Sequence, residues 1–169
     1  MRRLWGEHVA WTRAAVSSLV FKSPDASVVV ARLLQNTTDM GYVLEPYYGQ
    51  KAAQMYSQLL AEHITLAGDL IKATSEGNVE KATEIEKKWF HNGAKIAMFL
   101  SRINPCIPVE EFREMFDEHL LFIKQGMMCM FNKDFEASIL IFDDMEMEAM
   151  DMADELAEAV IKQFPYMFI

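Results

Sequence analysis

The chain has 169 residues and sets 16 Lys and Arg against 25 Asp and Glu, for a formal charge of −9 at pH 7. That sign repels phosphate, so neither a nucleic-acid binder nor a protein held on an anionic membrane is expected. With 51% hydrophobic residues the chain is not disordered, and only 7 Gly and 5 Pro argue against an all-β fold dense in turns.

Punctuation by Gly, Pro, Asn and Ser predicts six helices in chain order, near 3–21, 26–46, 50–74, 78–103, 108–131 and 134–164. The breaks between them are Lys22-Ser23-Pro24-Asp25, Tyr48-Gly49, Ser75-Glu76-Gly77-Asn78, Asn104-Pro105-Cys106-Ile107-Pro108 and Asn132-Lys133-Asp134. Asn36-Thr37-Thr38-Asp39 offers a further cap that would divide the second helix. No linker separates the pieces, so the expectation is one all-α, up-and-down bundle over 1–169. Its repeats are about 1–48, 49–104 and 105–165. No apolar run reaches the roughly 18 residues of a membrane span and no leader pattern opens the chain, which points to a cytoplasmic protein. Cys106 and Cys129, in no CxxC and beside no His, read as free thiols.

The repeat shows most plainly in the dipeptide Glu-His, which recurs at near-equal intervals as Glu7-His8, Glu62-His63 and Glu118-His119. The positions four before, three before and three after each His are Leu4, Trp5 and Trp11, then Leu59, Leu60 and Leu66, then Met115, Phe116 and Phe122. On a helix these offsets share one face, so each imidazole is expected inside an apolar stripe. By the same offsets Asn36, Asn92 and Glu146 sit inward on the returning helices. Glu146 is the most inward of ten carboxylates in residues 134–158, a stretch with no Lys or Arg. Counted from the turns near 23, 77 and 133, all six groups lie roughly 20 Å away at ~1.5 Å per residue. One polar layer should therefore cross the bundle.

Three imidazoles and a carboxylate form a first shell suited to a divalent transition metal, Fe or Mn before Zn or Ni, with a coordination position open to a small molecule or dioxygen. His8, His63, His119 and Glu146 are the predicted ligands, and Asn36 and Asn92 the groups that hold ligands or a water in place. The function expected is a cytosolic metal-binding bundle acting as a metal-dependent oxidoreductase or oxygen-handling protein. One alternative is a metal-free hydrogen-bond network in a non-catalytic bundle whose acidic helix docks a basic protein. The Met145, Met147, Met150, Met152 run reads as packing rather than copper ligation, His91 as rim, and Trp5, Trp11 and Trp89 as core. No P-loop, GxGxxG, GxSxG or HExxH occurs.

The segments Leu4-Trp5-Gly6-Glu7-His8-Val9-Ala10-Trp11, Leu60-Ala61-Glu62-His63, Phe116-Asp117-Glu118-His119 and Ile161-Lys162-Gln163-Phe164-Pro165 resemble a small Firmicute-type bacterial family of helical bundles. The resemblance covers nearly the whole chain and implies the fold but no activity. In architecture the chain is similar to ferritin-like, haemerythrin-like and DinB-like metal bundles, and the last of these likenesses implies a further alternative, a metal-dependent thiol transferase. It lacks the ExxH pair, the haemerythrin His–carboxylate spacings and the HxxxH of those groups, so the similarity is one of fold.

Overall fold

The computed structural model describes residues 1–168, and among them every regular element is helical. The helices are α1 (Arg2–Val20), α2 (Ala26–Ser75), α3 (Val79–Ile103), α4 (Val109–Phe131) and α5 (Phe135–Gln163), followed by a single 3-10 turn, Pro165–Met167. The predicted boundaries hold to within one or two residues except inside α2. Two predicted helices are there one element of 50 residues, interrupted only where Gly49 leaves helical geometry at φ 79° and ψ 167°. The cap expected at residues 36–39 starts no new helix. Asn36 and Thr37 are buried within the first arm of α2, and the Thr37 hydroxyl donates to the Leu34 carbonyl.

At Gly49 the chain reverses. A side chain on Gly41, before the break, would collide with the Ser57 hydroxyl and come within 2.6 Å of the Ala53 carbonyl oxygen, both after it. In a straight helix residues 41 and 57 would stand ~24 Å apart. The two arms of α2 therefore lie face to face, and Gly41 is what allows their close approach. Pro46 precedes the break, and its missing N–H removes a helical hydrogen bond where the turn begins.

Three of the other connections are built alike. Lys22, Gly77 and Lys133, which recur at the same near-equal intervals as the histidines, take left-handed φ of 52°, 68° and 61°. After each, an amide reaches back to the closing turn of the helix: Ser23 to Ser18, Asn78 to Ala73 and Asp134 to Cys129, at 2.8, 3.0 and 2.9 Å. These bonds satisfy the last helical carbonyls in the manner of a Schellman cap. The side chains of Asn78 and Asp134 then open α3 and α5 by accepting from the amides of Lys81 and Ala137.

The core lies along the axis between the rods, with Trp89, Tyr56, Leu44, Ile96, Leu100, Leu120, Met152 and Leu156 almost wholly buried. Helix α1 meets α2, α4 and α5, so the first helix lies against the last. Arg2 grips the Asp154 carboxylate with two hydrogen bonds across that seam. Helix α5 departs from expectation. Its buried face is Ser138, Met145, Glu148, Ala149, Met152, Ala153, Leu156, Ala159 and Val160, whereas Glu146, expected inside, is exposed, as are Ile139 and Ile161.

Candidate functional site

His8, His63 and His119 are buried, as are Asn36, Asn92 and Glu148. Each imidazole is held through the same atom by the helix that returns from its turn. His8 Nδ1 lies 3.0 Å from Asn36 Oδ1, His63 Nδ1 lies 2.8 Å from Asn92 Oδ1, and His119 Nδ1 lies 2.7 Å from Glu148 Oε2. Glu146, the predicted ligand, is not part of this set. It is exposed, and on a helix two residues correspond to ~200°, so Glu146 and Glu148 face opposite ways. The misplacement follows from apolar residues on both sides of α5. Ala149 and Ala153 sit on an edge common to both candidate faces, and Ile139 and Ile161 tilt the reading outward. The interval between Asn36 and Asn92 carries the right signal, since the same step taken once more along the chain falls on Glu148.

The asparagines fix the proton on each ring. Asn36 Nδ2 donates to the Leu4 carbonyl at 3.0 Å, and Asn92 Nδ2 donates to the Leu59 carbonyl and to Glu62. Their oxygens must then accept, so the Nδ1–H of His8 and of His63 is the donor, and Nε2 carries the lone pair. At His119 the carboxylate of Glu148 accepts in the same way. The Nε2 atoms of His63 and His119 are buried with no hydrogen-bond partner, and so is Glu148 Oε1.

The three rings also sense one another. The His8 and His119 ring centres are 6.1 Å apart, and His8 and His63 line the same cavity. Burial pulls the His8 pKa down to about 4, helped by His119 and opposed by the Asn36 hydrogen bond. Burial likewise takes His63 to about 3, opposed by Asn92 and helped by His119 and His8. Both rings are neutral at pH 7. Trp5 packs edge-on to His8, and Trp89 and Phe116 flank His63. Of the preceding glutamates, Glu7 binds Arg3 and Arg32 while Glu62 receives Asn92.

The chain matches no protein-family model, no curated protein and no solved structure.

In chemistry the donors fit a divalent transition metal: imidazoles each anchored through Nδ1 on a side-chain oxygen, with Nε2 making no hydrogen bond, are the arrangement that second-shell partners impose on metal-bound histidine. Among the described residues, no three His, Cys, Asp or Glu side chains come together closely enough to hold an ion. Of the other residues singled out in the sequence, His91 is exposed, Cys106 is an exposed thiol and Cys129 a half-buried one. In the methionine run Met145 and Met152 are buried, Met150 is partly buried and Met147 is exposed, so it is the first two that belong to the core.

Proposed function

We propose that this bundle binds a divalent transition metal through Nε2 of His8, His63 and His119, and works as a metal-dependent oxidoreductase or oxygen-handling protein. The observation that carries the proposal is the pair of buried Nε2 atoms, on His63 and His119, that have no hydrogen-bond partner. A buried acceptor left unpaired costs about 1–3 kcal/mol, and a metal ion removes that cost at once. Asn36, Asn92 and Glu148 act as positioning residues, and Glu148 replaces Glu146 as the carboxylate that offsets part of the ion's charge. When bound, the metal supplies redox or Lewis-acid chemistry at an open coordination position. The residues themselves keep each ring in one tautomer and exclude bulk water.

The same proposal includes the three-hairpin descent of the chain, with six rods once the arms of α2 are counted separately. Its support is the recurrence of one turn at Lys22, Gly77 and Lys133, each at the same remove along the chain from its own histidine. It also includes kinship with the Firmicute-type family suggested by the sequence.

A second reading is favoured by the spacing of the rings, which do not close around an ion. In it the layer is a metal-free polar network, completed by waters in the cavity beside His8 and His63, in a bundle without catalysis. Elemental analysis of freshly purified protein decides between the two. Stoichiometric Fe or Mn, lost in His119→Ala, supports the redox proposal, and zinc or nickel with thiol-dependent turnover moves it to the transferase. Metal-free protein whose stability is unchanged by chelator leaves the network alone.

A further inference from the structure

Helices α4 and α5 carry two apolar rows that the fold leaves uncovered. Leu121 and Met128 on α4 are 46% and 39% exposed, and Leu140 and Met147 on α5 are 65% and 62% exposed. In each row the two residues are seven apart, so they share one side of their helix at a separation of ~10.5 Å. Two contacts set the rows against each other. His119 of α4 is bonded to Glu148 of α5, and nearer the connection a Cβ on Gly126 would lie 3.7 Å from Ile141 Cγ2. Leu121 and Met128 each stand two residues after these α4 positions, and Met147 and Leu140 one residue before the α5 positions. The exposed side chains therefore form two rungs, Leu121 with Met147 and Met128 with Leu140, each level to within ~1.5 Å.

Carboxylates flank the rungs. Glu118 on α4 and Asp143, Asp144 and Asp151 on α5 are all exposed. Over residues 118–128 and 140–151 the sole Lys or Arg is Lys124, and Glu86 of α3 holds its ammonium. An apolar surface edged by one sign of charge selects its partner by both properties. A second copy set face to face on it would bring carboxylate against carboxylate, and an anionic lipid surface is repelled in the same way.

We propose that the outer face of α4 and α5 docks a basic amphipathic helix of a partner protein, its apolar side chains across the two rungs and its Lys and Arg on the flanking carboxylates. Rungs ~10.5 Å apart match apolar residues at i and i+7 of the partner. Each rung contains one Met, whose unbranched chain adapts to the residue it meets. This surface is separate from the metal proposal, because His119 and Glu148 are buried on the inner sides of the same helices.

The test is fluorescence-anisotropy titration of the full chain into three labelled helical peptides of about 18 residues, or about five turns. The first has Leu along one side and Lys elsewhere, the second replaces Lys by Glu, and the third replaces Leu by Ala. Expected are saturable one-to-one binding of the first that weakens as salt is raised, no binding of the second, and at least roughly tenfold weaker binding of the third. Leu140→Ser/Met147→Ser should lose roughly tenfold or more in affinity for the first peptide, and so should Leu121→Ser/Met128→Ser. Neither pair changes the charge, and both remove exposed side chains, so the helical signal should match that of the parent. Val28→Ser/Val79→Ser, which removes exposed side chains on other helices, should bind as the parent does. Equal affinity for the Leu–Lys and Ala–Lys peptides, or full binding by the rung variants, means charge attraction alone and overturns the proposal. Binding of the Glu peptide, or binding indifferent to salt, overturns it as well. So does a dimer in sedimentation equilibrium that the rung variants dissociate, since a second copy would then be the occupant.

Discussion

The histidine–partner pairs differ in a single respect: two rings give their Nδ1–H to a neutral amide, and His119 gives it to Glu148. Replacing Glu148 with Gln makes the third pair like the others, so Glu148→Gln is expected to keep the fold while weakening metal binding by roughly 10- to 100-fold, as loss of such a supporting carboxylate does. Glu148→Ala leaves the His119 N–H buried and unpaired, which costs about 1–3 kcal/mol in urea denaturation. Glu146→Ala, on the exposed face, stays within about 0.5 kcal/mol and binds metal as before. The opposite pattern, with Glu146 sensitive and Glu148 silent, would overturn this assignment. Acid should act on the same layer. Burial lowers the folded pKa of His8 to about 4 and of His63 to about 3, while the unfolded rings titrate near 6.5. Between those values the unfolded chain holds more protons than the folded one. Stability of the metal-free chain is then fully present above about pH 6.5 and falls as pH drops toward 4. Urea midpoints that are level from pH 7 to pH 4.5 would contradict that sign.

The helices were largely legible because their ends are written in residues with one conformational preference, such as Asn78 and Asp134 at helix starts and Gly77 after a helix end. What could not be read was how a chemically two-sided helix turns. In α5 the exposed Ile139, Leu140 and Met147 match the buried Met145 and Met152 in hydrophobicity, so periodicity admits two faces and only the recurrence from Asn36 through Asn92 to Glu148 separates them. The reversal inside α2 was legible at Gly49 but its tightness was not, because it depends on Gly41 meeting Ser57 across the fold. These two glycines fail for different reasons. Gly49 has open space around it but a φ of 79° with an extended ψ, a region almost closed to other residues, so Gly49→Ala should cost about 1–3 kcal/mol through the backbone alone. Gly41→Ala has ordinary helical geometry and no room, and a similar ~1–3 kcal/mol comes from overpacking. Lys22 and Lys133 hold left-handed φ where Gly77 does so freely, and Lys133→Gly is therefore expected to stabilise by about 1 kcal/mol, measurable as a raised denaturation midpoint. No change in the midpoint would mean that the lysine side chain already offsets the strain.

Across the whole molecule the charge and the polar layer separate. Most of the carboxylates in residues 134–158 face solvent, where they repel anions and contribute little to stability, and Glu148 alone is buried. A metal on the three histidines binds only the folded chain, so at a free concentration about 100 times its Kd it should add ~2.7 kcal/mol and, for a chain of this size, raise Tm by roughly 5–10 °C. A thermal melt that does not move on adding Fe, Mn, Zn or Ni to chelator-treated protein would leave the layer a polar network. The packing of α1 against α5 has a further consequence. Because the rods form a ring with no gap between first and last, the order in which the gene encodes them is independent of how they sit. A circular permutant joining residue 168 to residue 1 through a short Gly/Ser linker, and opening at Gly77-Asn78, should assemble into the same ring and keep the same three imidazoles level with one another.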